Sequence, residues 1–241
     1  GLRGQLYEDS PVSDFSFRGG YWHLTTPGAV VRAPKVILAV NGHVQSFGFY
    51  PKQLLHVFTY ASMTRALTDD ECDALGGEPD WGMLPADPMG TTVRRISNYL
   101  GGGARLVIRN HATLNQSLET SNADMKRAAG LQDRSFAARF PMLSGVPFEY
   151  RWGGRLCLAL NSAPAFGELE PGLYSACCQN GLGTAKGMVS GMLAADMAMG
   201  DSSVASAYGA RAPSRLPPEP FLSLGARVTM RVKEWRAGRE L

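Results

Sequence analysis

The residues best placed for chemistry are a glycine-spaced run, Asn180-Gly181-Leu182-Gly183-Thr184. It separates an apolar strand, Leu173–Cys178, from a helical stretch that begins near Ala185 and stops at Gly200. A helix start without bulky side chains leaves backbone N–H groups free to face an anionic or electron-rich partner, and the helix dipole favours negative charge there. The spacing Gly181-x-Gly183-x-x-x-Gly187 resembles part of a dinucleotide fingerprint. The residues after Gly187, however, offer no second strand with an acidic ribose-binding residue. A first Rossmann unit, and with it a nicotinamide-dependent dehydrogenase, is disfavoured here; a glycine-tightened joint between strand and helix is the structural alternative. A second strand end of this kind is Asn41-Gly42, which follows the apolar run Val36-Ile37-Leu38-Ala39-Val40. Asn and Gly at a strand's carboxyl end suit a backbone that must approach a ligand closely.

Other chemistries find little support. His23, His43, His56 and His111 are widely separated and form no HxH or HExxH pair, so no metal site is expected. Neither a GxSxG elbow nor a Walker A loop occurs, and no catalytic acid, base or nucleophile can be assigned. The four cysteines, Cys72, Cys157, Cys177 and Cys178, make no CxxC motif and read as reduced thiols of a cytoplasmic protein. Net charge is +3 with the charges interspersed, and no basic stripe interleaved with aromatics precedes the tail, so nucleic acid is not an expected partner. The most apolar helical stretch, Met188–Met199, is too short and too rich in small residues for an integral membrane segment.

The elements that must position these residues alternate between the two periods. Phe15 and Phe17 alternate with polar residues, Arg18-Gly19-Gly20 marks a tight turn, and Tyr21–Thr25 alternates again. The unalternating run 36–40 fits a strand buried on both faces, as in a parallel sheet. Residues 52–65 form a strand, and Thr68-Asp69-Asp70-Glu71 is a capping box opening a short helix that stops near Gly76-Gly77. Gly101-Gly102-Gly103 turns a hairpin between the β-like segments Ile96–Leu100 and Arg105–Ile108. Residues 121–140 read as one or two helices interrupted near Gly130 and closed by Pro141. Phe148–Trp152 and Arg155–Leu160 read as two strands separated by Gly153-Gly154. After a proline-rich connector, Pro213–Pro220, a last helix carries Phe221, Leu224, Val228, Val232 and Trp235 on one face. That face is expected to pack on protein, with Arg227, Arg231, Arg236 and Arg239 turned to water.

In order along the chain, Ala33–Gly42, Arg105–Ile108, Arg139-Phe140-Pro141, Tyr150–Gly154, Pro164-x-x-Gly167, Gly172-Leu173-Tyr174, Gly181–Thr184 and Leu216–Phe221 resemble the second half of the glycine/D-amino-acid oxidase family of flavoproteins. The likeness is strongest to its gamma-glutamylputrescine-oxidase-like members and spans nearly the whole chain. It implies FAD as cofactor and a C–N bond of an amine or amino acid as the point of oxidation, hydride passing to flavin N5 and water hydrolysing the imine. The loop Gly181, Leu182, Gly183, Thr184 would lie against the flavin's pyrimidine end, with Asn41 and Gly42 on the strand end that passes the cofactor. The resemblance suggests substrate contacts from Trp152 and Lys186. Relatives that hold a substrate carboxylate through a lysine carry it at the position of Ala185, however, and many relatives have Gly-His-Gly where this chain has Gly181-Leu182-Gly183.

The expected fold is α/β in the mixed α+β sense, a partial FAD-binding layer interleaved with an antiparallel-sheet substrate domain. Residues 1–45 and 155–241 would form the remainder of the FAD-binding domain and residues 46–154 the substrate domain. The family's N-terminal GxGxxG unit is expected before Gly1, as an upstream segment or a companion chain, and residues 1–241 alone are expected to hold FAD weakly. A non-catalytic subunit that keeps the fold without the cofactor is the alternative from a different class.

Overall fold

The computed structural model describes residues 4–98 and 100–240, without the side chain of Arg239. Strands β1 (Asp14–Arg18), β2 (Tyr21–Thr25), β3 (Val30–Ala33) and β4 (Val36–Leu38) come first, followed by a 3-10 helix at Asn41–Phe47. The middle of the chain holds β5 (Leu55–Thr64), α1 (Asp69–Leu75), β6 (Trp81–Met83), β7 (Thr92–Ile96), β8 (Arg105–Leu114), α2 (Asn122–Arg139) and β9 (Phe148–Leu158). Then follow β10 (Ala165–Glu170), β11 (Leu173–Cys177), α3 (Gly183–Met199), α4 (Ala205–Tyr208) and α5 (Phe221–Ala237). The result is a mixed α/β architecture divided into two compact units, residues 1–54 with 157–216 and residues 55–156 with 217–241.

In the first unit, β1, β2 and β3 form an antiparallel meander. Gly19 and Gly20 take φ of +59° and +80°, the left-handed pair that a two-residue hairpin between Arg18 and Tyr21 needs. A second sheet runs β10-β11-β4, with β10 antiparallel and β4 parallel to β11. Trp22, 2% exposed, fills the core beside Leu38, Val44, Leu54, Leu173 and Cys177, and its Nε1 donates to Pro171 O at 3.1 Å. The run expected as a strand over 36–40 buried on both faces is shorter, and Ile37 is exposed. Among the described residues β4 pairs with β11 alone, so it is an edge strand with one covered side.

The second unit is built on a sheet of order β6-β7-β8-β5-β9. β7 and β8 form a hairpin around Gly101–Gly103 as expected, but its first strand is Thr92–Ile96 rather than Ile96–Leu100, so the turn is longer; Tyr99, within that turn, lies outside the described residues. Ser121 and Asp124 make a reciprocal capping box that starts α2, which continues without a break through Gly130. Its buried residues Ala128, Gln132, Ser135 and Phe136 face the sheet. Gln132, 1% exposed, donates from Nε2 to Tyr60 O at 2.8 Å and accepts the Ser62 hydroxyl, so this polar side chain is satisfied where it is buried. The two strands expected around Gly153-Gly154 are one strand, β9. A Cβ at Gly153 would sit 3.4 Å from Phe58 and 3.5 Å from Tyr60, so this glycine serves packing rather than a turn. Thr68 and Glu71 complete the expected capping box of α1, and Arg65 holds Glu71 at 2.7 Å.

Helix α5 corrects the sequence reading twice. Residues 217–241, grouped above with residues 1–45, belong to the second unit. The apolar stripe Phe221, Leu224, Val228, Val232 and Trp235 is exposed, while Leu222, Ala226, Met230, Glu234 and Ala237 form the buried or half-buried side. The cause is polar. His111, held at φ +62° where the β5–β8 register shifts, is 4% exposed and meets Glu234 at 3.0 Å, and Leu222 and Ala237 are the buried apolar residues of the same side. Arg227, Arg231 and Arg236 do face water, while the side chain of Arg239 lies outside the described residues.

Gly172 turns β10 into β11 at φ +75°; a Cβ there would lie 2.7 Å from Pro34 O, and the Gly172 carbonyl accepts Val36 N–H at 2.9 Å. Gly172→Ala is therefore expected to cost about 2–4 kcal/mol of stability, combining backbone strain with a clash against backbone. Thermal and urea denaturation check this, and an unchanged midpoint would contradict it.

Candidate functional site at the carboxyl ends of β4 and β11

The pairs Val36–Leu173, Ile37–Tyr174 and Leu38–Ser175 align β4 and β11 in parallel, so their carboxyl ends lie side by side. The loops that leave those ends are Val40-Asn41-Gly42 and Cys178–Leu182. The two glycine-bearing segments singled out in the sequence, Asn41-Gly42 and Gly181–Thr184, thus meet at one edge of one sheet. Ligands of open α/β sheets bind at such an edge. Cys177 seals the junction beneath, its thiol donating to Leu38 O at 3.2 Å.

The second loop is shaped by left-handed residues. Cys178, Asn180 and Gly181 take φ of +57°, +54° and +80°. Asn180 holds the bend: its Oδ1 accepts Ala159 N–H at 2.7 Å, and its Nδ2 donates to Ser162 O at 3.1 Å and to Ala163 O and Cys178 O at 3.2 Å. Asparagine suits both tasks, since it tolerates the left-handed region and carries an acceptor and two donors on one short arm. The sequence reading included Asn180 in the glycine-spaced run without giving it a role; the Asn-Gly dipeptide was the available signal for one.

Helix α3 starts directly after this bend. Its first turn has no side-chain cap and no acidic residue. Leu182 N–H is used by Gln179 O at 3.1 Å and Lys186 N–H by Leu182 O at 2.9 Å, while residues 181–185 are exposed. A Cβ built on Gly181 or Gly183 would meet nothing within 4 Å. At the neighbouring strand end Asn41 sits at φ +49°, and its buried Oδ1 finds no hydrogen-bond partner among the described residues. Free N–H groups at a positive helix end, open space over two glycines and one orphan acceptor form a donor and acceptor set suited to an electron-rich planar heterocycle.

Behind the loops the environment is apolar; Tyr50, Cys157 and Cys177 are held neutral, while the hydrogen bond with Cys157 pulls the Cys178 thiol below the ordinary thiol range. Burial pushes the Tyr50 hydroxyl up to about 12, against the opposing hydrogen bond of Ser175. The Cys178 thiol, and then burial, push Cys157 above the ordinary thiol range, and burial does the same to Cys177. Lys186 is half-buried in the first turn of α3, and its charge acts on Cys178. Trp152 lies elsewhere, on β9 in the second unit, 41% exposed. Among the described residues no group of His, Cys, Asp and Glu could hold a metal ion, and no helix is long and apolar enough to cross a membrane.

Comparison with known proteins adds three findings. The family described as DAO, FAD dependent oxidoreductase, matches residues 1–197. The chain is 26% identical over 211 residues to the probable oxidoreductase OrdL of Haemophilus influenzae, covering 87% of this chain and 46% of that protein. It is 34% identical over 82 residues to gamma-glutamylputrescine oxidoreductase of Escherichia coli, covering 34% of this chain and 18% of that protein. The chain therefore spans at most about half the length of these curated relatives. Among solved structures, glycine oxidase from Geobacillus kaustophilus shares the fold, with a TM-score of 0.60 and 19% identity over 82% of this chain and 50% of that one.

Because Asn180 closes the loop with four hydrogen bonds at a left-handed position, Asn180→Ala is expected to lower stability by about 1–3 kcal/mol. Asn180→Asp is expected to be no better, since a carboxylate keeps the acceptor but faces three carbonyls with no donor. Chemical denaturation of both variants checks this; a wild-type midpoint for either would show that the loop does not depend on this side chain.

Proposed function

Because this chain belongs to the DAO family of FAD-dependent oxidoreductases, we propose that it forms the C-terminal part of an enzyme that oxidises a C–N bond of an amine or amino acid. The observation that carries this reading is the uncapped, acid-free start of α3, opened by Gly181 and Gly183 beside the strand end at Asn41. When bound, FAD supplies the two-electron sink that converts the substrate's C–N single bond to an imine, which water then hydrolyses.

This chain's own contribution is then positional and electrostatic. Gly181, Gly183 and Thr184 present backbone N–H groups, with the two glycines leaving open space on either side of Leu182, whose own N–H is taken by Gln179 O, so an electron-rich ring edge can approach the helix end closely. The dipole of the 17-residue helix favours negative charge developing at that edge. Asn41 offers its Oδ1 as an acceptor, and Gly42 keeps the adjacent backbone clear. The apolar layer of Tyr50, Cys157 and Cys177 carries no charge near neutral pH and raises the worth of those dipoles by excluding water. We assign Trp152 and Lys186 to the substrate, the indole as an apolar wall and the ammonium as a carboxylate partner. On this reading residues 55–156 are the substrate-binding part and residues 1–54 with 157–216 the flavin-binding part.

The ADP half of the cofactor is assigned to a segment or companion chain outside residues 1–241. The glycine pair at Gly19-Gly20 turns a hairpin and opens no helix, so it offers no pyrophosphate cradle. FAD titrated into residues 1–241 alone is accordingly expected to bind weakly, and tight stoichiometric binding would show that the ADP site lies within the chain.

The purified full-length protein is expected to show flavin absorbance that bleaches anaerobically with a member of an amine and amino-acid panel. A colourless protein that takes up no FAD would favour a non-catalytic subunit instead. Gly183→Glu places a carboxylate at the helix start in open space, so it is expected to leave the melting temperature within a few degrees. Flavin occupancy should fall about tenfold or more, because the new charge competes for the same N–H groups. Occupancy equal to wild type would remove this loop from the cofactor site.

A further inference from the structure

Helix α5 presents two opposite faces. Leu222, Ala226, Met230, Glu234 and Ala237 turn inward. Phe221, Leu224, Val228, Val232 and Trp235 are 67%, 62%, 54%, 44% and 81% exposed, and at about 100° per residue they fall on the far side of the helix. Arg227 and Arg231 lie on one side of this stripe and Arg236 on the other, while Lys233 falls at that spacing between Leu222 and Ala226; all four are exposed. The helix has one acidic residue, Glu234, and it is turned inward onto His111 at 3.0 Å. Glu219, just ahead of the helix, is engaged with Ser223.

We infer that this face of α5 is a docking surface for an anionic lipid bilayer, with the helix lying in the plane of the interface. Aliphatic side chains with an exposed tryptophan at one end, bordered on both sides by Arg, match the chemistry of an acyl boundary beneath anionic headgroups. The long basic side chains can bury their stems along the stripe while their charges reach the headgroups. The helix has 17 residues, and its charges rule out a spanning role, which leaves the interfacial one.

Charge decides between occupants. A second copy docked on the same stripe through a two-fold axis would bring the three flanking arginines against three, of which, among the described residues, only Arg231 has an acid nearby, Glu234 at 3.7 Å. The surface is independent of the proposed flavin chemistry, since none of its residues belongs to that site.

The test is flotation of the purified full-length protein with two kinds of vesicle, phosphatidylcholine alone and phosphatidylcholine with about 30% phosphatidylserine. Preferential flotation with the anionic vesicles is expected, falling about tenfold or more when salt is raised from about 0.1 M to about 0.5 M. The triple variant Leu224→Ser, Val228→Ser, Trp235→Ser should keep the wild-type circular dichroism and melting temperature and lose vesicle binding. The variant Arg227→Gln, Arg231→Gln, Lys233→Gln, Arg236→Gln should lose the anionic preference. Equal partition to both vesicle types, or wild-type binding by the triple variant, would overturn the inference. So would a dimer that the triple variant converts to monomer without any vesicle binding, which would assign the stripe to a second copy. Retention of a soluble acidic protein in place of vesicles would assign it to a protein partner.

Discussion

Three backbone pairs, Val36–Leu173, Ile37–Tyr174 and Leu38–Ser175, join segments far apart in the chain, and the first unit is organised around them. Parallel strands cannot be joined by a tight turn, so long connections must run between them and the loops leaving both carboxyl ends are free to specialise. The pairing is anchored where it begins. Val36 N–H reaches Gly172 O at 2.9 Å, Gly172 can sit against Pro34 only because it lacks a side chain, and Trp22 ties the first meander to Pro171. From that anchor the segments carrying Asn41 and Gly181 arrive at the same edge.

The second unit rests on a different principle. Its sheet is covered by α2 through a buried polar contact set as well as an apolar one: Gln132 joins Tyr60 O and Ser62, and the Tyr60 hydroxyl lies 2.6 Å from Thr113 Oγ1 and 2.9 Å from Thr120 Oγ1. Satisfied polar groups inside a core favour one register over its neighbours, because a slip would strand each of them without a partner. The His111–Glu234 contact does the same for α5. Burial holds His111 below the ordinary histidine range in spite of the adjacent carboxylate, with Arg127 acting in the same direction as burial.

Much of this was legible in the residues. Gly19-Gly20, the capping box at Thr68–Glu71, the hairpin around Gly101–Gly103 and the strand–loop–helix at 173–199 are written in local rules of φ, capping and period, and the structure has them in place. The two glycine segments stood out in the sequence, although their adjacency was not legible, since it depends on a pairing between distant strands. What misled was glycine treated as punctuation. Gly130 sits inside an unbroken helix, and Gly153 sits inside an unbroken strand, beside Phe58 and Tyr60. The inward face of α5 was hidden for another reason. Hydrophobic periodicity picks out the bulkiest stripe, whereas this helix is docked by one carboxylate beside the buried Leu222 and Ala237, and no single-sequence rule ranks Ala226 and Glu234 above Val228 and Trp235 as core.

The β4–β11 register also imposes a timetable. Strands β5 to β9 are contiguous in the chain, and their sheet can assemble as soon as they have been synthesised. β4 is made earlier yet has no described partner until residues 173–175 exist, well after the second unit has its strands. Contacts between residues far apart in sequence form slowly because a long loop must close first. The local meander of β1–β3 needs no such wait, whereas the edge that gathers Asn41 and Gly181 must wait for residues 173–175, after the strands of the second unit have been made.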